Sequence, residues 1–249
     1  MTPVPEDAEG PSLVSLEDAL RVLRDGTVQP LGLMPDASNA TFVVEVCDPE
    51  VTLVAIYKPR MGEAPLWDFP EGTLCRREVA AYLLAAALGW PNIPPTVLRD
   101  GPHGPGAMQL FIDADQREHF FTLRHAKLAD FAPVAAFDIV ANNADRKSGH
   151  CLLDGDGDIW CIDHGVCFHQ EPKLRTVIWE FAGEPLPKAL AEDLRRVAGD
   201  MRSGPLRDAM VALLSEREVD ATARRAERLV RAGRYPLPNS TRPYPWPPV

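Results

Sequence analysis

One Ala- and Leu-rich segment, residues 73–88, constrains the fold of this chain more than any other feature, because it lies between stretches of β-branched residues. Its apolar residues recur at helical spacing, and Gly89 and Pro91 follow it, so the pattern predicts a helix that ends at Gly89. The flanking stretches are β-branched and apolar and are separated by turn-forming residues. They predict the strands of an antiparallel sheet: residues 27–34, 41–48, 51–58, 97–99 and 107–112.

The second half of the chain has a mainly helical pattern. Residues 128–142 predict a helix, residues 151–154 and 159–163 predict a strand hairpin, and residues 187–232 show helical spacing broken by Gly and Pro. Strands therefore precede helices, and this order predicts an α+β fold of two lobes with a ligand cleft between them. The predicted units are an N-terminal lobe (residues 1–112), a helical lobe with the functional loops (113–234) and an extended Pro-rich tail (235–249).

Composition limits the classes of function. The 249 residues carry 26 Lys and Arg against 36 Asp and Glu, a net charge of −10 with no basic run, which argues against binding to nucleic acid. No apolar run approaches the roughly 18 residues that cross a bilayer, and the start of the chain does not resemble an export signal. The five cysteines form no C-x-x-C pair. We therefore expect a cytoplasmic protein with reduced thiols, no integral membrane association and no zinc site.

Two residues of the predicted N-terminal lobe are placed for ionic contact. Lys58 closes an apolar strand, and Glu78 lies 20 residues later on the apolar stripe of the helix. A carboxylate on a buried stripe is costly unless it is paired, so we expect an ion pair between Lys58 and Glu78. Such a pair would hold the ammonium in place for a phosphate group. The alternative for Lys58 is a strand-end charge that reaches water.

Two aspartates stand where predicted elements end. Asp145 lies in a polar segment, residues 142–150, and Asp163 ends a predicted strand before Gly165. They are 18 residues apart across a hairpin, so we expect both carboxylates on the same side. Two carboxylates that meet repel each other unless a cation lies between them, and hard oxygen ligands favour Mg²⁺ or Mn²⁺. Two unrelated loop aspartates are the alternative.

These polar loops resemble those of a known family. Residues 143–153 have the sequence N-A-D-R-K-S-G-H-C-L-L, and residues 159–166 have the sequence I-W-C-I-D-H-G-V. They resemble the catalytic and metal-binding loops of the phosphatidylinositol 3-/4-kinase-like branch of the protein-kinase fold, including an actinobacterial group of this kind. The strand A-I-Y-K, residues 55–58, resembles the ATP-lysine strand of kinases. The resemblance covers roughly residues 27–168 and implies a bilobal protein-kinase-like fold.

The resemblance implies an ATP-dependent phosphotransferase and assigns roles to individual residues. Lys58 would hold the α- and β-phosphates, Asp145 would accept the proton of the attacking hydroxyl, and Asp163 would bind the bridging metal, Mg²⁺ or Mn²⁺. Arg146 joins this catalytic set because its charge can offset the γ-phosphate, with a place on the loop surface as the alternative. The acceptor would be an unidentified protein or small molecule that carries a hydroxyl group. Residues expected at the nucleotide are Ser38, Asn39, Lys58, Glu78, Gln109, Phe111 and Ile112.

One position departs from the family pattern. His150 stands five residues after Asp145, where such kinases place a metal-binding Asn. An imidazole nitrogen also binds divalent cations and favours Mn²⁺ over Mg²⁺, so an altered metal preference and a loss of activity are both open. The second hypothesis is therefore a nucleotide-binding pseudokinase that acts on a protein partner, for instance through the tail. A third is a metal-dependent hydrolase built from Asp145, His150 and Asp163.

Overall fold

The computed structural model describes residues 14–34, 39–238 and 241–249. No helix among these residues is long and apolar enough to cross a membrane. The first half of the chain forms five strands: β1 (Thr27–Leu33), β2 (Phe42–Cys47), β3 (Thr52–Pro59), β4 (Thr96–Gly101) and β5 (Gly104–Leu110). They make one antiparallel sheet in the order β1-β2-β3-β5-β4, so β3, the strand that carries Lys58, lies at its centre.

The two faces of this sheet have different neighbours. Side chains alternate along a strand, so Ala55 and Tyr57 of β3 point to one face, where helix α1 (Leu16–Asp25) packs on them. The α1 helix begins where the Ser15 hydroxyl accepts a hydrogen bond from the amide of Asp18, at 3.1 Å. Lys58 points to the opposite face of the sheet, where it meets a second helix.

The second half of the chain is mainly helical and carries one short hairpin. The predicted helix 128–142 consists of a 3-10 turn (Leu128–Phe131) and the α-helix proper, because Pro133 lacks the amide that a longer helix would need there. The helices are α2 (Leu74–Leu88), α3 (Phe120–Leu123), α4 (Ala132–Ala141), α5 (Lys188–Ser203), α6 (Pro205–Val211) and α7 (Glu216–Ala232). The hairpin strands are β6 (Cys151–Leu153) and β7 (Ile159–Cys161).

Helix α2 joins the two halves of the molecule. It ends, as predicted, at Gly89, whose φ of 84° lies in the left-handed region that glycine adopts without strain. Eleven of its 15 residues are buried, because it packs against β4 and β5 on one side and against α5 and α6 on another. Small alanines suit a helix that is enclosed in this way. A lobe boundary drawn at residue 112 therefore assigns to the N-terminal lobe a helix that both halves share.

The C-terminal tail lies on the body of the protein. The carbonyl of Pro243 accepts hydrogen bonds from the Thr176 amide, at 3.0 Å, and from the Trp179 indole, at 3.1 Å. Near the end of the chain, the carbonyl of Pro248 accepts from the amide of Ser148, at 2.9 Å. Proline-rich chain is extended and leaves its carbonyls free to accept such bonds. The tail thereby reaches the polar loop that carries Asp145.

Candidate active site

Lys58 and Glu78 form the expected ion pair between sheet and helix. Lys58 Nζ lies 2.5 Å from Glu78 Oε1, and the Glu78 side chain is only 3% exposed. The other carboxylate oxygen of Glu78, Oε2, accepts the amide of His164 at 3.0 Å. Both oxygens of the buried carboxylate are thus satisfied, which is the condition under which a buried charge is tolerated. Glu78 therefore fixes the ammonium and the turn after β7 relative to each other.

Asp163 lies beside this pair. Its Oδ1 is 3.2 Å from Lys58 Nζ, and its Oδ2 is 3.2 Å from His150 Nε2. The positive charge of Lys58 holds the pKa of the Asp163 carboxyl well below its usual range, so this group is ionised. Asp163 also has a φ of 61°, which is unusual for a residue with a side chain and recurs at functional sites.

Asp145 shares this region with Asp163 but has a different electrostatic environment. Its amide donates to Asn143 Oδ1 at 3.0 Å, which fixes the loop locally, and Lys147 Nζ lies 3.6 Å from its Oδ2. Burial, together with the negative charge of Asp163, raises the pKa of the Asp145 carboxyl to about 6. The side chains of Asp145 and Asp163 are still 36% and 52% exposed, so both carboxylates face solvent. One carboxylate is firmly ionised and the other titrates near neutral pH, as expected of two groups with different tasks.

Arg146 does not occupy the place expected of it. Its side chain is fully buried, and Nε and Nη2 each lie within 3.2 Å of the Asp138 carboxylate of α4. Its Nη1 donates to the carbonyls of His150 and Ile162, and its Nη2 lies 2.7 Å from His164 Nε2. Because the Arg146 side chain is buried, it does not lie on the loop surface, and it is not placed to contact a γ-phosphate. Arg146 is instead a positioning residue that joins the loop of Asp145 to the hairpin that leads to Asp163.

His150 lies beside Asp163. Burial lowers the pKa of its imidazole to about 4, so the ring is neutral at neutral pH and has the form that binds metals. Within the described ranges, no group of three or more His, Cys, Asp or Glu side chains could hold an ion by itself. Mg²⁺ is commonly bound by one or two carboxylates together with substrate phosphates and water. Asp163 and His150 fit that kind of site, in which the nucleotide supplies the remaining ligands.

The residues expected at the nucleotide lie in several environments. Gln109 pairs with Ile56 across the sheet, which puts it on the Lys58 face, and its side chain donates to Thr96 Oγ1 at 2.9 Å. Phe111 is partly exposed, but its amide donates to the carbonyl of Val54 at 3.0 Å and so belongs to the sheet.

Two loop residues and Ile112 complete that set. Ile112 follows Phe111 and is partly buried. Asn39 Oδ1 accepts the amide of Ala64 at 2.7 Å, so this side chain stabilises the loop after β3. Ser38 lies outside the described residues.

A second buried carboxylate, Asp138, holds the loop of Asp145 in place and was not predicted from the sequence. Asp138 is fully buried in apolar helix α4, where it accepts hydrogen bonds from Asn143, Arg146 and Thr176. The signal was available, because a carboxylate within an apolar helix had already identified Glu78. The part played by Thr176 was not readable, since it depends on a contact 38 residues away along the chain.

A cavity of about 420 Å³ lies elsewhere, between the β3–α2 connection and the turn from β4 to β5. Residues that line it include Glu63, Phe69 and His103, and none of Lys58, Asp145 or Asp163 is among them. The residues assigned to phosphate chemistry therefore lie outside this cavity.

Comparison with known sequences gives two relatives. No family model matches the chain. Protein Rv2133c of Mycobacterium tuberculosis is 38% identical, in an alignment that covers 96% of this chain and 98% of that protein. Phosphatidylinositol 4-kinase gamma 4 of Oryza sativa subsp. japonica is 31% identical over 137 residues, which are 46% of this chain and 24% of the rice protein.

Comparison with solved structures identifies the fold. The structure of hydra Fam20 with sugar aligns with a TM-score of 0.57 and 12% identity, over 87% of each chain. The crystal structure of the Helicobacter pylori proinflammatory kinase CtkA aligns with a TM-score of 0.46 and 14% identity, over 83% of this chain and 98% of the other. The fold is α+β and bilobal, of the protein-kinase-like type that the loops predicted. These similarities do not single out the phosphatidylinositol-kinase branch.

Proposed function

The chain belongs to the family of the mycobacterial protein Rv2133c, and we propose that it is an ATP-dependent phosphotransferase with an alcohol as acceptor. One observation carries this proposal: an ammonium from the sheet, Lys58, lies 3.2 Å from Asp163, which follows β7. His150, which precedes β6 and follows the loop of Asp145, lies 3.2 Å from the same carboxylate. The partial similarity to a rice phosphatidylinositol 4-kinase, which includes about half of this chain, supports the same chemistry.

Each residue has a role that follows from its surroundings. Burial alone would lower the pKa of Lys58, but the charges of Glu78 and Asp163 raise it, so its ammonium stays charged to bind the α- and β-phosphates. Asp163 and His150 would hold Mg²⁺ or Mn²⁺ together with phosphate oxygens. When bound, the metal supplies positive charge that offsets the charge of the transferring phosphoryl group.

Asp145 would position the acceptor and take its proton. The acceptor oxygen forms a bond to the γ-phosphorus while the bond between that phosphorus and the β,γ-bridging oxygen breaks, and ADP leaves. The proton of the hydroxyl passes to the Asp145 carboxylate, whose pKa of about 6 suits a base at neutral pH.

A nucleotide-binding pseudokinase is the second candidate, and the His150 contact is what favours it. The Nε2 atom of His150 lies 3.2 Å from Asp163 Oδ2, so one carboxylate oxygen already has a partner where a metal would bind. A site in this state would still bind the nucleotide through Lys58. It would then act through contact with a protein.

The test uses γ-labelled ATP with either Mg²⁺ or Mn²⁺ and measures ADP release and label transfer. Wild-type protein is compared with Asp145→Asn, Asp163→Asn and a matched control, Asp156→Asn, which removes an exposed carboxylate in the β6–β7 turn. We expect turnover that is lost in the first two variants and retained in the control. Thermal stabilisation by ATP without turnover supports the pseudokinase, and phosphoester hydrolysis without ATP supports a hydrolase. A protein that neither turns over ATP nor is stabilised by it contradicts both nucleotide-dependent functions.

A further inference from the structure

A short extended segment runs beside the catalytic loop. The amide of Arg175 donates to the carbonyl of Asn143 at 2.9 Å, and the amide of Arg146 donates to the carbonyl of Arg175 at 3.0 Å. One residue further, the amide of Val177 donates to the carbonyl of Arg146 at 3.1 Å, which makes a parallel bridge. The backbone of Arg175 is therefore fixed directly alongside the loop that carries Asp145.

The alternation of side chains in this pairing gives the direction of Arg175. Thr176 and Arg146 are paired across the bridge, and both point inward to the buried carboxylate of Asp138. Neighbouring residues on extended chain point to opposite sides. Arg175 and Asp145, each one residue earlier, therefore point to the opposite side, away from Asp138. Arg175 is accordingly exposed, and its charge helps to lower the pKa of Asp145 against the effect of burial.

The guanidinium of Arg175 makes no side-chain hydrogen bond or ion pair with the residues in the described ranges. Its neighbour Lys173, in contrast, lies 2.9 Å from Asp68 and over the Trp67 ring. A second cation, Lys147, stands at 3.6 Å from Asp145. Two positive side chains thus flank the carboxylate proposed to receive the proton of the acceptor, in a protein whose net charge is −10.

We infer that Arg175, with Lys147, forms an anion-binding subsite on the acceptor side of Asp145, and that the acceptor alcohol carries a carboxylate or phosphate close to its hydroxyl group. Arginine suits this task because its planar fork of donors matches both anions. The identity of the ligand as an acceptor rests on the proposed function, whereas the binding of an anion at Arg175 does not.

Calorimetric titration with three small alcohols tests the subsite. Glycerol 3-phosphate, glycerate and glycerol share a three-carbon skeleton and differ in whether they carry a phosphate, a carboxylate or no charge. The protein is saturated with Mg²⁺ and a non-hydrolysable ATP analogue, so that the phosphate site at Lys58 is filled. We expect at least one of the two anions to bind about tenfold or more tightly than glycerol, and the stronger one identifies the source of the charge.

Variants assign the binding to the named residue. Arg175→Ala should lose about tenfold or more in affinity for the preferred anion, and Arg175→Lys should lose less. The matched control is Arg228→Ala, which removes an exposed guanidinium from α7 and should leave the affinity unchanged. Equal affinity for all three alcohols, or an Arg175→Ala variant that binds like the wild type, overturns the subsite.

The two proposals fail in different ways. ADP release that depends on Asp145 and Asp163, combined with anion binding that does not depend on Arg175, overturns only the subsite. Arg175-dependent anion binding in a protein that does not turn over ATP upholds the subsite and overturns the phosphotransferase. If the analogue does not bind, the same titrations on nucleotide-free protein still report the dependence on Arg175.

Discussion

At the scale of single residues, the site depends on charges that are costly to bury and that compensate each other. Lys58, Glu78, Asp163 and His150 form a continuous chain of contacts no longer than 3.2 Å. Removal of one member leaves its neighbour charged and incompletely paired, which costs more than the pair contributes. Substitutions in this chain should therefore affect stability as well as activity.

Glu78→Gln should lower the free energy of unfolding by about 2–4 kcal/mol, because the Lys58 ammonium loses its closest counter-charge while Asp163 still offsets part of it. Urea unfolding measures this change. Glu227→Gln breaks an exposed pair with Arg202 on the helices and should cost less than about 1 kcal/mol. Equal effects of the two substitutions would show that Glu78 is not the buried partner described here.

As the proposed base, Asp145 should make the activity dependent on pH. Its carboxyl must be ionised to accept a proton, and burial raises its pKa to about 6, so activity is present above that value and is lost as the pH falls through it. We expect kcat/KM to rise about tenfold per unit below about pH 6 and to level off above it. A rate profile that stays flat across this range would exclude Asp145 as the base.

At the scale of elements, the buried pair of Arg146 and Asp138 holds the loop of Asp145 on α4. Arg146→Leu leaves the Asp138 carboxylate buried with only Asn143 and Thr176 as partners, so the free energy of unfolding should fall by about 3–5 kcal/mol. Denaturation in urea provides the measurement. The exposed Arg202→Leu is the control, and a comparably small loss in both variants would contradict this role.

The sequence predicted the elements that local chemistry specifies and missed those that depend on distant contacts. The β-branched runs located β1, β2 and β3 within a few residues, and the Ala-rich stripe located α2. The predicted strands 97–99 and 107–112 leave out residues 100–106, which are rich in Gly and Pro, yet β4 and β5 continue to a pair between Gly101 and Gly104. The prolines of this segment lack backbone amide hydrogens, but the other backbone groups are sufficient to pair the two strand ends.

The same division holds for the site. Glu78 could be predicted, because a carboxylate within an apolar helix needs a partner. The burial of Arg146 could not be predicted, because two of its contacts are carbonyls of residues on either side of the hairpin, His150 and Ile162. Arg175 is placed by pairing with residues about thirty positions earlier in the chain, which no local pattern records. Contacts between charged side chains from distant segments are therefore the part of the site that the sequence did not predict.

At the scale of the whole molecule, the C-terminal tail contacts the loop that carries Asp145. Removal of residues 241–249 eliminates three hydrogen bonds, at Thr176, Trp179 and Ser148, and exposes the surface that Pro245 covers. We expect a loss of about 2–3 kcal/mol and a fall in Tm of roughly 5–10 °C, measured by calorimetry. Trp246→Ala is the control, because that side chain is 87% exposed. An unchanged Tm in the truncated protein would show that the tail does not support the fold.

The whole arrangement predicts that Lys58, from the sheet, and Asp163, from the hairpin, bind one polyphosphate and its metal, with Asp145 facing the terminal phosphate. The direct test is a crystal structure of the protein with a non-hydrolysable ATP analogue and Mn²⁺, in which anomalous scattering locates the metal. We expect the manganese peak beside Asp163 and His150, and the α- and β-phosphates beside Lys58 Nζ. A metal peak away from Asp163, or a triphosphate that does not contact Lys58, would contradict the account.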